Sequence, residues 1–235
     1  ERPDMYPYNE KYGIDMFNYQ GEYEILDDIA LIRGKDGKWA AKPKYEIEGY
    51  KKAVWKLYDW YKKGYIRKDA LTVTDRTQDT MAGKYAFGPG TYKPGCDTKA
   101  WGANNIYVPV TEPMITNETG TLTNTAISRN SKNAEKAISL IEIVNTDKWI
   151  YNTISFGIEG KHYEKTGEDT MKMLGSQETS GYWLRKEWMF GSQFNAYRFD
   201  DMAPDVWQQT IDLNDNARKS ELIGFYVDTK PVRTE

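Results

Sequence analysis

Apolar residues recur along this chain in short blocks with two different periods, and the alternation of those blocks predicts a mixed α/β fold. Ile47, Tyr50, Val54, Leu57, Tyr58 and Tyr61 share one face at helical spacing, and Gly64 closes the run. Ala134, Ala137, Ile138, Ile141 and Val144 form a second helical stripe, with Asn133 placed as its N-cap. Asn145-Thr146-Asp147 interrupts that stripe, and Thr146 is the expected cap of the next helix. That helix is lined by Ile150, Tyr151, Ile154 and Ser155, and Gly157 stands where a left-handed terminal residue is wanted. A short helix over 77–82 is stopped by Gly83, and another over 204–217 has Pro204 in its first turn.

Strand signals are shorter. Segments 29–32 and 39–41 flank Gly34-Lys35-Asp36-Gly37, a hairpin turn. Segment 85–87 reads as a buried strand, 106–110 as a strand whose Pro109 favours an edge or an end, and 125–128 as a strand entering a core. Residues 163–173 read as a hairpin turning at Thr166-Gly167-Glu168-Asp169. Gly88 to Gly95 must be loop, 182–197 a loop entering a helix, and 6–20 connecting or hinge backbone without a clear period. No internal repeat interrupts this order.

Composition narrows the class. The 235 residues suffice for one large domain or two small ones. Mean hydropathy is −0.78, and no apolar run approaches the length of a membrane-spanning helix. A net charge of −3 with scattered basic residues argues against nucleic acid as a partner. A lone Cys96 makes neither an internal disulfide nor a multi-cysteine zinc site. Aromatic residues make up 14%, mostly the polar-tipped Tyr and Trp, whose flat faces and hydrogen-bonding edges suit stacking on sugar rings as well as ordinary packing.

Catalytic and metal signatures fail on inspection. Gly88-Pro89-Gly90 lacks the Gly-Lys-Ser/Thr of a phosphate loop, and its proline removes a donor. Asp212 to Asn216 starts like a calcium loop but lacks the sixth-position Gly and the twelfth-position Glu. His162, the single histidine, has no Gly-x-Ser-x-Gly elbow and is expected to serve turn packing or hydrogen bonding. Asp27-Asp28 and Asp200-Asp201 supply carboxylates, but a glycosidase pair is defined by separation in space. The expectation is therefore no catalytic residue, no metal and no cofactor.

Three stretches read together carry a resemblance: Ser131-Lys132-Asn133-x-Glu135-Lys136-Ala137, Asn145-Thr146-Asp147-Lys148, and Gly157-Ile158-Glu159-Gly160-Lys161-His162-Tyr163. Tyr61 to Ile66, Gly83 to Ala86, Trp188 to Phe194 and Gly224 to Asp228 agree in order. In these the chain resembles the extracellular solute-binding proteins of bacterial ABC importers, family 1 type, and more narrowly the LipO-like lipoproteins of Gram-positive bacteria. The resemblance implies one lobe of a periplasmic-binding-protein-like two-lobed α/β fold. On that reading residues 1–235 are mainly the C-terminal lobe with hinge-proximal segments, without the N-terminal lobe and the final helices. It also implies non-catalytic binding of a carbohydrate, an oligosaccharide by expectation. ABC permease subunits would be the partners, and a cell-surface location would come from an N-terminal lipid anchor that this chain does not include.

The same resemblance locates ligand contacts. Relatives present an aromatic after the strand at 85–87, here Tyr92, with Trp101 further along the same connection. Trp188, Gln193 and Phe194 form the second group. Ser192 stands where relatives often have Asn, which removes an amide from that contact. Arg198 is expected to pair with an acidic ligand or, as the preferred reading, locally with Asp200. Two other readings stay open: a secreted carbohydrate-active enzyme or a fragment of one, and a binding protein for peptide or another non-sugar solute, since a scaffold does not fix its ligand.

Overall fold

The computed structural model describes residues 4–10, 23–26, 29–96, 105–117, 119, 123–176, 178–184 and 187–226. The chain divides into two compact units. One comprises Glu1–Tyr92 with Gly102–Thr111, the other Lys93–Trp101 with Glu112–Glu235.

In the first unit β1 (Tyr6–Tyr8) is followed by an antiparallel sheet of β2 (Tyr23–Leu26), β3 (Ile29–Arg33) and β4 (Trp39–Pro43), in that order. The predicted turn joins β3 to β4, with the Gly34 N–H donating to the Lys38 carbonyl at 2.8 Å. Ala30 and Ile47 form a small core with Ile32 and Tyr50 against it. A 3-10 turn then leads into α1 (Glu48–Lys62), followed by α2 (Thr77–Met81) and β5 (Tyr85–Phe87). Helix α1 ends in a Schellman motif: the Tyr65 N–H reaches the Trp60 carbonyl at 2.9 Å and the Gly64 N–H the Tyr61 carbonyl at 3.1 Å.

The buried face of α1 is rotated from the predicted one. Ala53 is its buried residue, with Tyr50, Leu57 and Trp60 half-buried beside it, while Val54, Tyr58 and Tyr61 are exposed. The cause is Trp60, whose ring meets Tyr8 at 5.0 Å and Phe87 at 5.9 Å and so fixes which side faces inward. Strand β5 pairs in parallel with β1 (Tyr6↔Tyr85, Tyr8↔Phe87). The strand expected there forms, but it is not buried: Ala86 is exposed and Phe87 is 48% exposed. Arg67 ties this corner together, reaching Asp69 through two nitrogens at 2.6 and 2.8 Å and Asp79 at 2.8 Å. The strand expected at 106–110 does not form, and Ile106 is 91% exposed. Of the expected connecting stretch 6–20, β1 takes the start, and 11–20 lies outside the described residues.

The second unit contains β6 (Met114–Ile115), α3 (Ala134–Thr146), α4 (Lys148–Phe156), β7 (Tyr163–Lys165), β8 (Thr170–Met173), β9 (Arg198–Phe199), α5 (Val206–Asp215) and β10 (Arg218–Lys219). Strands β7 and β8 form the predicted hairpin, and β9 adds in parallel to β8. Strand β10 pairs in parallel with β6. The core joins Val144, Tyr151, Phe156, Tyr163, Met171, Ala196 and Phe199. Segment 125–128 joins no ladder among the described residues, and all of it but Ile127 is exposed. Of the α3 stripe, Val144 is buried and Ala137 and Ile141 half-buried, while Ile138 faces out.

Two caps differ from expectation. Asn133 holds the N-cap position of α3 without a side-chain bond to the helix. Asp147, not Thr146, caps α4, accepting from the Ile150 N–H at 2.9 Å. Thr146 is still helical, and its hydroxyl donates back to the Glu142 carbonyl at 2.9 Å. Pro204 lies ahead of α5, in the turn closed by the Val206 N–H on the Ala203 carbonyl.

Candidate functional site

The heptapeptide after α4 folds as a turn in which a backbone hydrogen bond takes up His162 Nδ1. Gly157 has φ +92°, and a Cβ there would collide with His162 Nδ1, so glycine is required on both counts. The Ile158 N–H donates to His162 Nδ1 at 2.8 Å, which makes that nitrogen an acceptor and places the ring proton on Nε2. The ring is buried and lies 5.6 Å from that of Tyr182. The Gly160 N–H closes the turn on the Tyr163 carbonyl at 2.7 Å, delivering Tyr163 into β7. Burial pushes the Tyr163 hydroxyl up to about 12, and burial also raises that of Tyr151.

The second group of candidate contacts sits on the loop leaving β8. Trp188 is 45% exposed and Phe194 47% exposed. The loop enters a 3-10 turn, Gln193–Asn195, rather than an α-helix, with Ser192 just before it. Gln193 and Phe194 are brought together on that turn, and Phe194 lies edge-on to Trp207 at 5.9 Å between centroids. Gln193 also lines a pocket of about 10 Å³, room for about one water, with Lys93, Glu187, Tyr197, Met202 and Trp207. Burial lowers the Lys93 pKa, and the Glu187 carboxylate opposes that shift. This pocket is too small for a sugar ring.

Tyr92 ends the first of the two segments that make up the first unit and is exposed in the Gly-Pro loop. Trp101 lies outside the described residues. Arg198 donates to the Ala203 carbonyl at 3.3 Å instead of forming the expected pair with Asp200, and its charge helps hold Asp169 below the usual carboxylate range, behind the larger effect of the Lys148 hydrogen bond. Sequence reasoning passed over a wider hollow of about 390 Å³ in the first unit, lined by Tyr45, Tyr50, Lys51, Val54 and Trp55. Two of its lining residues, Tyr50 and Val54, belong to the apolar face that periodicity assigns to α1, and Trp55 adjoins them. No group of His, Cys, Asp and Glu suited to a metal ion occurs among the described residues. Nor does any helix among them have the length and apolarity to cross a membrane.

No family model matches the chain. It is 26% identical, over 221 residues and 91% of its length, to a carbohydrate ABC transporter substrate-binding protein of Streptococcus pneumoniae, and it spans 45% of that relative. Its fold is similar to that of the N-glycan transport solute-binding protein NgtS of the same organism. The crystal structure in complex with Man1GlcNAc aligns at a TM-score of 0.77 and 23% identity, covering 99% of this chain and 53% of that one. The complex with Man5GlcNAc gives 0.76 at 23% identity, over 99% and 52%.

Proposed function

We propose that this chain, which is homologous to a carbohydrate ABC transporter substrate-binding protein and has the α/β fold of about half of a solute-binding protein, is the carbohydrate-capturing part of such a protein. The observation that carries the reading is the likeness along nine-tenths of the chain to that relative. The outward aromatics at 188–194 support it, because aromatic faces held on an ordered loop are the groups that stack on pyranose rings. The ligand is an oligosaccharide, and the protein binds it without chemistry and passes it to an ABC permease. The chain forms the C-terminal lobe with segments near the hinge, and the whole protein works at the cell surface as a lipid-anchored lipoprotein. Tyr92, Trp188, Gln193 and Phe194 are the contacts, with Trp101 proposed beside them.

Calorimetry of the complete protein against a glycan panel tests this. Saturable binding with the glycan recovered intact is expected, and Trp188→Ala should weaken it by about tenfold or more. Hydrolysis of a bound glycan, or binding confined to peptides, would sink the proposal.

A further inference from the structure

Helix α4 sets two consecutive buried side chains on the two ends of one loop. The Tyr151 hydroxyl donates to the Glu187 carbonyl at 2.6 Å. Asn152 holds the other end: its Nδ2 donates to the Asn195 carbonyl at 2.9 Å, and its Oδ1 accepts from the Tyr197 N–H at 2.7 Å. The second Nδ2 proton goes to the Lys148 carbonyl at 2.7 Å within the helix. Both side chains are wholly buried.

The stretch between these anchors is fixed along its inner side as well. Phe190 lies 5.2 Å from the Tyr151 ring. Gly191 approaches α3 so closely that a Cβ would sit 2.7 Å from the Val144 carbonyl oxygen. The Asn195 side chain donates to the Asn145 carbonyl at 2.8 Å. Outward, the same stretch exposes Trp188, Met189 and Phe194. A loop pinned from within and aromatic without has given up its conformational freedom before any ligand arrives, so binding does not have to order it.

We infer that Tyr151 and Asn152 are positioning residues that hold loop 187–197 in its binding shape, acting on the glycan only through Trp188 and Phe194. This role rests on the carbohydrate reading above. A merely structural role would give the same hydrogen bonds but would not make the affinity effect depend on the two aromatics.

The test uses the complete protein with Man5GlcNAc as probe. Amide exchange without ligand and calorimetric affinity are measured for the parent, Tyr151→Phe and Asn152→Ser. Affinity is measured again for each substitution on a Trp188→Ala/Phe194→Ala background that retains weak binding at high glycan concentration. Amides in 188–197 are expected to exchange about tenfold faster in both variants, with rates in β7 and β8 unchanged. Affinity should fall about tenfold on the parent background and not at all on the double-alanine one. Unchanged loop exchange overturns the inference, as does an affinity loss that persists without the two aromatics. Should Asn152→Ser fail to fold, Tyr151→Phe carries both readouts, since it removes one oxygen and keeps the ring. A parent that binds no glycan overturns the carbohydrate reading and this role with it, and the ligand-free exchange data tell that result from a failure of the anchors.

Discussion

At the scale of single residues the turn at Gly157 is the most constrained point described. Its φ of +92° disfavours any side chain, and the space a Cβ would need holds the His162 ring. Gly157→Ala is therefore expected to cost about 3 kcal/mol, the sum of backbone strain and overpacking, in a urea unfolding titration. His162→Ala in the same chain removes the clash but not the strain. The double variant should then be less destabilised than the two single losses added together. Additive losses would show that ring and glycine do not share one space. The structural role of His162 was legible because nothing around it in sequence matched a catalytic pattern. The roles of Tyr151 and Asn152 were not legible, since their partners lie 36 to 45 residues further along and only packing brings them together.

At the scale of elements, local signals were read well and non-local ones badly. The turn between β3 and β4, the end of α1 and the hairpin of β7 and β8 each depend on residues within a few positions, and each forms as expected. Segments 106–110 and 125–128 carry strand-like composition, but a strand exists only with a partner, and no partner is written locally. The face of α1 failed for the same reason: Tyr8 and Phe87 decide it from outside the helix. The β7–β8 element also carries a pH dependence. Tyr163 titrates at 10.0 in an ordinary setting and at about 12 when buried here. The native state therefore keeps its proton where the unfolded chain has lost it. Stability from this group is full below pH 10 and falls as pH rises from about 10 through about 12. Thermal melts of the parent should show that decline, and Tyr163→Phe should flatten it. An equally steep decline in the variant would assign it to other groups.

At the scale of the molecule the division into two units was not legible, although the loop containing it was. Gly88 to Gly95 reads as loop, yet Tyr92 falls in one unit and Lys93 in the other, because the 93–96 turn packs into the second unit. Gly95 lies against Met202 and Val206, and Pro94 and Cys96 are buried. Charge is the property of this chain as a whole that bears most directly on the proposed ligand. A net charge of −3 with both signs scattered creates little long-range field, and a neutral glycan has no charge to be steered or screened. Affinity for a neutral oligosaccharide should then change by less than about twofold between about 50 and about 500 mM salt, although the Debye length shortens severalfold over that range. A charged peptide or anionic solute gripped by Lys or Arg would lose affinity steadily across the same series. Calorimetry at several salt concentrations therefore separates the two ligand classes by their chemistry alone. A steep salt dependence would remove the neutral-sugar reading even if Trp188 and Phe194 still mattered for binding.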